Sequence, residues 1–401
     1  MKTSIVIALA IAIFLLTIRP TKAEACGGCV APTGAFTAVN SHRMVIKLGI
    51  EETILWDQFT YSGEPDEFAW ILPVPSPDTI VELADADFID VMDRATTPRI
   101  FSPLCADAGG CGGGCGSLPD FKALAAEVEV YKHEMVGPYE TVVIGSDNST
   151  SLLAWLSVNG YAFPDNNLPI IDYYVAQKSS FLILRLRPGF GVSAMQPVRI
   201  RFKGFMGQFP LRMIALGASG VVEMALWIVA DQRHEASNYA NFTMSGDDVV
   251  WDPQSESFGY EESLDRKILE EGGRAWVTEY AQVLDGSELQ TLLQEEVPRE
   301  AAILAANMHF PFVTRLRTRM LVDHLDEDLI LIRSEDASDI SQDIVATTSV
   351  DGSECFQEIQ PESTTFSLKD GDIQSALSTA LILLALALLA WRRRRITLQT
   401  A

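Results

Sequence analysis

The hydrophobic positions of this chain fall mainly into short runs, many with the two-residue alternation of half-buried strands. Residues 44–50 and 53–60 are two such runs joined by a polar Glu-Glu pair, which predicts a hairpin. Residues 67–72 are almost wholly apolar, and we expect this strand to end at Pro73 because proline cannot donate to a ladder. Further strands are predicted at residues 127–135, 139–144, 181–187, 198–203, 210–216, 223–230 and 313–321.

Segments with the period of an amphipathic helix lie between these strands. In residues 85–94, Phe88, Val91 and Met92 share one face, and acidic residues occupy the first turn, where the helix dipole favours them. Further helices are predicted after Asp147, over residues 168–177, 264–271 and 287–295, and from Pro298. The sequence therefore predicts an α+β fold, a β-rich ectodomain with several short helices.

The two ends of the chain show a different pattern. Residues 4–17 are apolar, follow Lys2, and precede the small residues Ala23 and Ala25, as in a secretory signal peptide. Residues 373–391 are uncharged, long enough as a helix to span a bilayer core of about 30 Å, and followed by an arginine cluster. We therefore predict a signal peptide at residues 1–25, an exported ectodomain at 26–334, a polar stalk at 335–372, a C-terminal transmembrane helix at 373–391 and a cytoplasmic tail at 392–401.

The chain is strongly acidic, with 30 Lys and Arg residues against 54 Asp and Glu residues and a net charge of −24 at pH 7. Such a surface repels nucleic acid, so a nucleic-acid partner is excluded. We expect a single-pass membrane protein whose ectodomain lies in the periplasm or on the cell surface. Its expected partners are the membrane, through the C-terminal helix, and an envelope protein or an acidic glycan, and no cofactor is expected.

Six cysteines are present, five of them in two local clusters. They are Cys26 and Cys29 in a C-x-x-C motif, Cys105, Cys111 and Cys115 in a glycine-rich loop, and Cys355 in the predicted stalk. In an exported chain this even number indicates structural disulfides, and we expect at least one bridge between the two clusters. Two alternatives stay open: zinc bound by Cys26, Cys29, Cys111 and Cys115, or a redox dithiol at the C-x-x-C motif.

Several short motifs along the ectodomain form a set. They are Ala25-Cys26-Gly27-Gly28, residues 68–75 (FAWILPVP), Trp155-Leu156 with Asn159-Gly160-Tyr161 before Pro164, residues 181–187 (FLILRLR), Pro210-Leu211-Arg212, and residues 313–317 (VTRLR). In these motifs the chain resembles the domain of unknown function 2330 family of exported bacterial proteins. The resemblance implies export, often with a C-terminal anchor, and it carries no activity, cofactor or catalytic residue with it.

Basic side chains recur at every second position in three of the predicted strands. They are Arg185 and Arg187, then Arg199, Arg201 and Lys203, then Arg315, Arg317 and Arg319. Alternate residues of a strand share one face, and we expect the three stripes to form one face of a shared sheet. Arginine suits bidentate contacts with carboxylate, sulfate or phosphate groups, which predicts a site for an anionic ligand such as an acidic glycan. The alternative is that carboxylates of the protein itself pair with the stripes.

The sequence contains no complete catalytic motif of the classes we considered. Two His-Glu pairs, at positions 133 and 234, begin a zinc-protease motif, but Gly137 and Asn238 stand where its second histidine would be. A G-x-S-x-G nucleophile motif is absent from the sequence. We therefore expect a non-enzymatic binding or structural module of the cell envelope. The alternatives are an exported hydrolase with an unrecognised active site, and a metal-binding or redox protein that uses the cysteine clusters.

Overall fold

A computed structural model describes residues 29–30, 39–58, 69–101, 129–159, 168–191, 194–216, 218–252, 257–346 and 348–349. Within these ranges, no helix is both long enough and apolar enough to cross a membrane. The predicted signal peptide, transmembrane helix and tail lie outside them, as do Cys26, Cys105, Cys111, Cys115 and Cys355. Cys29 begins the first strand, but its side chain is not among those described. The disulfides, with their zinc and redox alternatives, therefore stay predictions.

Twenty-one strands and seven α-helices make up the described part of the chain. The strands are β1 (Cys29–Val30), β2 (Val39–Leu48), β3 (Glu52–Gln58), β4 (Ala69–Val74), β5 (Ile80–Leu83), β6 (Arg99–Phe101), β7 (Glu129–Val136), β8 (Tyr139–Gly145), β9 (Ser180–Leu186), β10 (Val198–Lys203), β11 (Gln208–Phe209), β12 (Ala218–Ala230), β13 (His234–Ala236), β14 (Ala240–Thr243), β15 (Val250–Asp252), β16 (Ser257–Phe258), β17 (Ala275–Val283), β18 (Phe312–Leu321), β19 (Leu329–Arg333), β20 (Asp343–Val345) and β21 (Thr348–Ser349). The helices are α1 (Phe88–Thr96), α2 (Ser149–Val158), α3 (Leu168–Ala176), α4 (Leu211–Ile214), α5 (Tyr260–Glu270), α6 (Glu288–Glu296) and α7 (Pro298–Ala305). The predicted β-rich α+β class is thus confirmed for this part of the chain.

Two sheets form the centre of the molecule. The smaller has five strands in the order β1-β4-β9-β8-β7, and the larger has eight in the order β14-β17-β18-β12-β2-β3-β10-β5. Neighbours in the five-stranded sheet are all antiparallel. In the eight-stranded sheet the pairs β2–β12 and β14–β17 are parallel. The predicted hairpin is confirmed as β2–β3, in which Ile46 lies opposite Leu55.

Apolar side chains from the facing sides of the two sheets form one core. It includes Met44 and Leu226 of the eight-stranded sheet and Leu72 and Leu184 of the five-stranded sheet. A second core fills the space between the other face of the eight-stranded sheet and helices α1, α6 and α7. A third lies between the five-stranded sheet and helices α2 and α3. The layers are therefore helix, sheet, sheet, helix, and each fully buried aliphatic side chain stabilises them by about 1.5–3 kcal/mol.

Residues 210–216 were expected to form a strand, and this expectation is wrong. They contain the one-turn helix α4, which begins directly after Pro210. Leu211 and Ile214 enter the core between the sheets, whereas Met213 packs into the core beneath α2 and α3. A short apolar run whose side chains enter more than one core has a similar sequence pattern in a strand and in a helical turn.

Pro73 does not end β4 but lies inside it, opposite Phe181 of β9. On its other side β4 pairs with β1, and that pairing covers only Ala69 and Trp70. Proline cannot donate a hydrogen bond to a ladder, and β4 contains it at a position where no described residue pairs with it on the side of β1.

The polar stalk was predicted to begin at residue 335, but strands continue past that point. β20 pairs in parallel with β6, and β21 pairs in parallel with β15. The folded part therefore extends at least to Ser349. These pairings join segments far apart in the chain, so the polar composition of residues 335–349 did not indicate them.

Candidate functional site

The basic stripes of β10 and β18 lie on one face of the eight-stranded sheet. Its register forms a single row of Arg199, Trp56, Val45, Trp227 and Arg315 across β10, β3, β2, β12 and β18. The stripe of β9 belongs to the five-stranded sheet, so the expectation of one sheet shared by all three stripes is wrong. Alternation along a strand determines the face on which a side chain lies, but it does not determine which strands pair with that strand.

Arg199 is buried against helix α7. Its Nη1 lies 2.7 Å from both carboxylate oxygens of Glu300, and its Nη2 lies 3.1 Å from Oε2 of Glu82. Trp56 donates a 2.7 Å hydrogen bond from Nε1 to Oε2 of Glu300. The side chains of Arg199 and Glu300 are 2% and 0% exposed. This guanidinium is therefore occupied by the protein's own carboxylates and has no solvent-facing side for an external anion.

Arg315 is buried at the other end of the row. Its Nε lies 2.8 Å from Glu279 Oε2, and its Nη1 lies 2.8 Å from Asp93 Oδ1 in helix α1. The guanidinium of Arg315 also stacks over the ring of Trp227, and its Cζ lies 4.9 Å from the ring centroid. The arginines at both ends of the row therefore form ion pairs with carboxylates of other elements.

Arg317 has three carboxylate neighbours. It contacts Glu223, lies 2.8 Å from Glu261 and 3.4 Å from Glu279. Burial disfavours the charge of Arg317, but the hydrogen bonds that it donates to Glu261 and the charges of Glu279 and Glu223 outweigh this effect and raise the pKa of Arg317. Arg319 shares Glu261 at 3.1 Å. The stripe on β18 is therefore an internal ion-pair network beneath α1 and α5.

The remaining stripe residues are more exposed, and most are also paired. Arg201 contacts Glu52 at 3.0 Å, Lys203 contacts Asp78 at 2.6 Å, and Arg185 contacts Glu140 at 2.7 Å. Arg187 differs: it donates a 3.0 Å hydrogen bond to the carbonyl of Gly137 and stacks 5.3 Å from the ring centroid of Phe190. Within the described residues no carboxylate pairs with Arg187, so it is the stripe member with the most freedom to bind an anion.

A small cavity lies between the two sheets, on the face of β2 and β3 opposite the arginine row. It is lined by His42 and Met44 of β2, Asp57 of β3, Trp70 of β4 and Met213 of α4. The other lining residues are Ile71, Leu72, Phe209, Pro210 and Ile214. The centre of a water molecule can occupy about 10 Å³ of it. That is room for roughly one water molecule.

Burial holds both ionisable groups of this cavity in their neutral forms near pH 7. It lowers the pKa of His42 to about 3 and raises the pKa of Asp57 to about 8. Oδ1 of Asp57 has no hydrogen-bond partner among the described residues. A protonated carboxyl group beside a very weakly basic imidazole is a poor general acid–base pair at neutral pH.

The sequence contained one signal of this cavity that our sequence analysis missed. Asp57 is the carboxylate of the apolar run TILWDQ, and an acidic side chain in a buried strand is unusual enough to mark a site. His42 carried no such signal, because the predicted strand began at Met44. In the structure β2 begins earlier, at Val39, so His42 and Met44 share one face.

The two His-Glu pairs do not come together. His133 lies on β7 of the five-stranded sheet, 2.7 Å from Glu140. His234 begins β13, in a separate three-stranded sheet, with its Nδ1 2.8 Å from the carbonyl of Gln232. In the part of the chain that the structure describes, no three or more His, Cys, Asp or Glu side chains form a group that could hold a metal ion.

The model of a family of uncharacterised proteins conserved in bacteria, DUF2330, matches residues 20–328. The chain belongs to the DUF2330 family. No curated protein and no solved structure shows significant similarity to it. Membership confirms the resemblance but brings no activity with it.

In this DUF2330 protein, two motifs that carry the resemblance meet at the cavity. The FAWILPVP motif supplies Trp70, Ile71 and Leu72, and the Pro-Leu-Arg motif supplies Pro210. They lie far apart in the sequence and become neighbours because β4 and α4 both line the space between the sheets. The cavity is therefore the place in the described fold where these family motifs converge.

Proposed function

We propose that this DUF2330 protein is a non-enzymatic module of the bacterial cell envelope that assembles with a second copy of itself through the open edge of its five-stranded sheet. Two observations support a role without catalysis. The stripe arginines other than Arg187 are engaged with the protein's own carboxylates. The cavity that combines a histidine with an aspartate has room for about one water molecule.

The observation that carries the proposal is strand β7. It is the last strand of the five-stranded sheet, so among the described strands it has one neighbour, β8. Its apolar side chains are exposed, with Val130 at 47%, Tyr131 at 46% and Met135 at 56%. A sheet edge that combines unpaired backbone groups with exposed apolar side chains favours the addition of another strand.

The sequence of β7 complements itself in the antiparallel direction. If His133 lies on a twofold axis, Lys132 faces Glu134 of the second copy, and these two side chains already form a 2.8 Å ion pair within one chain. The contact then occurs twice, as an isologous interface requires. Opposite charges directly across an antiparallel pair contribute about 0.2–1 kcal/mol. Charge complementarity therefore favours a second copy as the occupant of this edge.

Charge exchange tests the proposal. We expect the full-length protein in detergent to form dimers, and we expect Lys132→Glu and Glu134→Lys each to weaken them, because like charges then face one another. Mixing the two variants should restore dimers, since opposite charges face again in the mixed pair. Sedimentation velocity gives the dissociation constants, and Lys203→Glu, which changes charge in the other sheet, is the control. A monomeric wild-type protein, or variants that dimerise as the wild type does, would contradict the proposal.

The position of the module in the envelope rests on the terminal segments. We propose that it is exported and held in the membrane by residues 373–391, because this uncharged run is followed by four arginines. Removal of residues 373–401 should release a folded ectodomain into the soluble fraction. Partitioning of the truncated protein with membranes after a high-salt wash would show that another segment is the anchor.

A further inference from the structure

Three of the four most exposed large apolar side chains among the described residues lie at one end of the eight-stranded sheet. They are Ile50 at the tip of the β2–β3 hairpin, Phe205 just after β10 and Phe310 just before β18, and they are 89%, 59% and 72% exposed. The pairing registers place the end of β2, the start of β3, the end of β10 and the start of β18 at the same end of this sheet. We call these three side chains the apolar tips. Exposed apolar side chains that gather in one place mark an interaction site.

Backbone hydrogen bonds hold the loops that carry the apolar tips. The N–H of Gly204 donates to the carbonyl of Glu51 at 2.7 Å, which joins the loop after β10 to the tip of the β2–β3 hairpin. Phe310 precedes Pro311, whose carbonyl accepts a 2.7 Å hydrogen bond from the N–H of Leu284 at the end of β17. The apolar tips therefore project from a fixed framework of neighbouring loops.

The spacing of the apolar tips suits a bilayer better than a protein. Strands β3, β2 and β12 separate β10 from β18, so Phe205 and Phe310 are about 20 Å apart at the usual strand spacing. The polar residues Asp231 and Gln232 follow β12 at the same end, between Phe310 and Ile50. A protein interface has a contiguous apolar core, which separate tips do not provide. The boundary between headgroups and acyl chains accepts apolar side chains one by one, with polar groups between them.

The charged groups around the apolar tips are mostly paired with one another. The chain as a whole has a net charge of −24, and such a charge repels the anionic headgroups of a membrane. At this end of the sheet Glu51 is an exception, because it forms no ion pair with a described residue. The pairs that balance the other charges are Lys203–Asp78 at 2.6 Å, Arg201–Glu52 at 3.0 Å and Arg333–Asp231.

The chain itself keeps a membrane within reach of the apolar tips. Residues 350–372 connect Ser349, the last described residue, to the segment 373–391 that we propose as the anchor. Even a fully extended chain of this length spans at most about 80 Å. A tether of this kind gives the anchoring bilayer a high effective concentration at the ectodomain. Charge balance, spacing and tether length therefore favour the bilayer as the partner of this surface.

We propose that this end of the eight-stranded sheet docks on the surface of the anchoring bilayer, with Ile50, Phe205 and Phe310 inserted among the lipid headgroups. The proposal rests on the anchor proposed for residues 373–391, and it is independent of the assembly through β7. The competing interpretation is a partner protein that covers the apolar tips. The two interpretations differ in which molecule the three side chains touch.

Photocrosslinking identifies that molecule. The full-length protein carries Phe205→p-benzoylphenylalanine or Phe310→p-benzoylphenylalanine and is irradiated both in phosphatidylcholine vesicles and in cells. We expect mass spectrometry to detect lipid adducts at both positions. Phe190→p-benzoylphenylalanine is the matched control and should give none, because Phe190 is exposed but lies between β9 and the start of β10, away from the apolar tips. Flotation of the vesicles shows separately whether the protein is anchored.

Substitution tests whether the apolar tips act together. In the protein labelled at position 310, we expect Ile50→Ser combined with Phe205→Ser to remove most of the lipid adduct, because the loops are held together and dock as one unit. Both side chains are exposed, so the melting temperature should change little. Leu269→Ser is the control and should leave the adduct unchanged, because Leu269 is exposed near the end of α5, which precedes the start of β17 at the other end of the sheet.

Four results would overturn the proposal. They are anchored protein without lipid adducts at positions 205 and 310, equal adducts at these positions and at Phe190, adducts to a protein in cells, and an adduct at position 310 that persists in the double variant. Protein that does not float with the vesicles would contradict the anchor itself, and the docking with it.

Discussion

Buried ionisable groups have opposite states on the two faces of β2 and β3. On the face covered by α1, α6 and α7, the row from Arg199 to Arg315 keeps its charges, and each guanidinium meets carboxylates. On the face toward the five-stranded sheet, His42 and Asp57 are uncharged near neutral pH because burial shifts their pKa values in opposite directions. Neighbouring residues of one strand, Trp56 and Asp57, therefore belong to environments with different electrostatics.

The difference shows what decides the state of a buried group. Removing an ion from water costs several kcal/mol, and an opposite charge in good hydrogen-bonding geometry offsets this cost. Glu300 does so for Arg199 at 2.7 Å. Where the described residues offer no such partner, as at Asp57, the group becomes neutral and its pKa moves instead.

The largest expected effect comes from breaking the charged row. We expect Glu300→Ala to lower the free energy of unfolding by about 3–5 kcal/mol, because Arg199 is then left charged and partly unpaired in the core. Trp56 also loses the acceptor of its indole N–H. Urea unfolding followed by tryptophan fluorescence measures the change.

The control for this prediction removes both charges. Arg199→Met combined with Glu300→Leu should recover most of the lost stability, because two apolar side chains of similar size leave no buried charge. If Glu300→Ala and the double variant are equally destabilised, loss of packing rather than an unpaired charge is the cause. That result would contradict the conclusion that the two faces differ in how they accommodate buried ionisable groups.

The second effect concerns the uncharged face and depends on pH. The ordinary pKa of the Asp57 carboxyl group is 3.8, and in the folded protein it is about 8. Its contribution to stability is therefore fully present below pH 3.8 and is lost as the pH rises to about 8. Relative to Asp57→Asn, the wild-type protein should lose about 1.4 kcal/mol per pH unit, or up to about 4 kcal/mol between pH 5 and pH 8.

Unfolding curves of both proteins across this range measure the difference. His42 on β2 and Tyr139 on β8 are the other titratable groups that face Asp57, and both are present in both proteins, so their effects cancel. Asp78→Asn is the control. Lys203 lowers the pKa of this exposed carboxyl group, so the Asp78→Asn protein should gain no stability relative to the wild type as the pH rises. A pH-independent difference between wild type and Asp57→Asn would show that Asp57 is ionised in the folded protein.

The smallest effect is expected at Arg201, which follows Arg199 in the basic stripe of β10 and is more exposed. Arg201 and Glu52 form a bidentate pair at 3.0 Å, but their side chains are 35% and 40% exposed. Arg201→Glu should therefore lower the free energy of unfolding by about 1 kcal/mol or less, and salt should reduce the difference. A loss of stability as large as that of Glu300→Ala would show that solvent exposure does not determine how much the two ion pairs, Arg201–Glu52 and Arg199–Glu300, contribute.

Local patterns were sufficient to predict most elements of the described fold. The apolar runs of β2 and β3, the apolar face of α1 and the Pro298 start of α7 each depend on neighbours in the chain, and the predicted elements are present. The exceptions are segments whose conformation depends on distant partners. Helix α4 places apolar side chains in two cores, and β20 is a strand because β6 lies beside it.

The candidate sites were less predictable than the elements. The two-residue spacing correctly indicated that the basic residues of β10 lie on one face, as do those of β18, but not that helices cover this face. The carboxylates that occupy Arg199 and Arg315 come from residues as distant in sequence as Glu300 and Asp93. The cavity combines residues from β2, β3, β4 and α4, and of these only Asp57 is unusual in its local sequence.

The sequence by itself determined the acidic charge, the β-rich α+β class, the family and the faces of the individual strands, because each follows from composition or from neighbours along the chain. The tertiary structure decided which sheet each strand joins, which arginines meet carboxylates and which ionisable groups share the cavity. The physical reason is that burial and Coulomb energy depend on distances in space. Val45, which faces the helices, and Met44, which faces the cavity, are adjacent in the chain and lie in different cores.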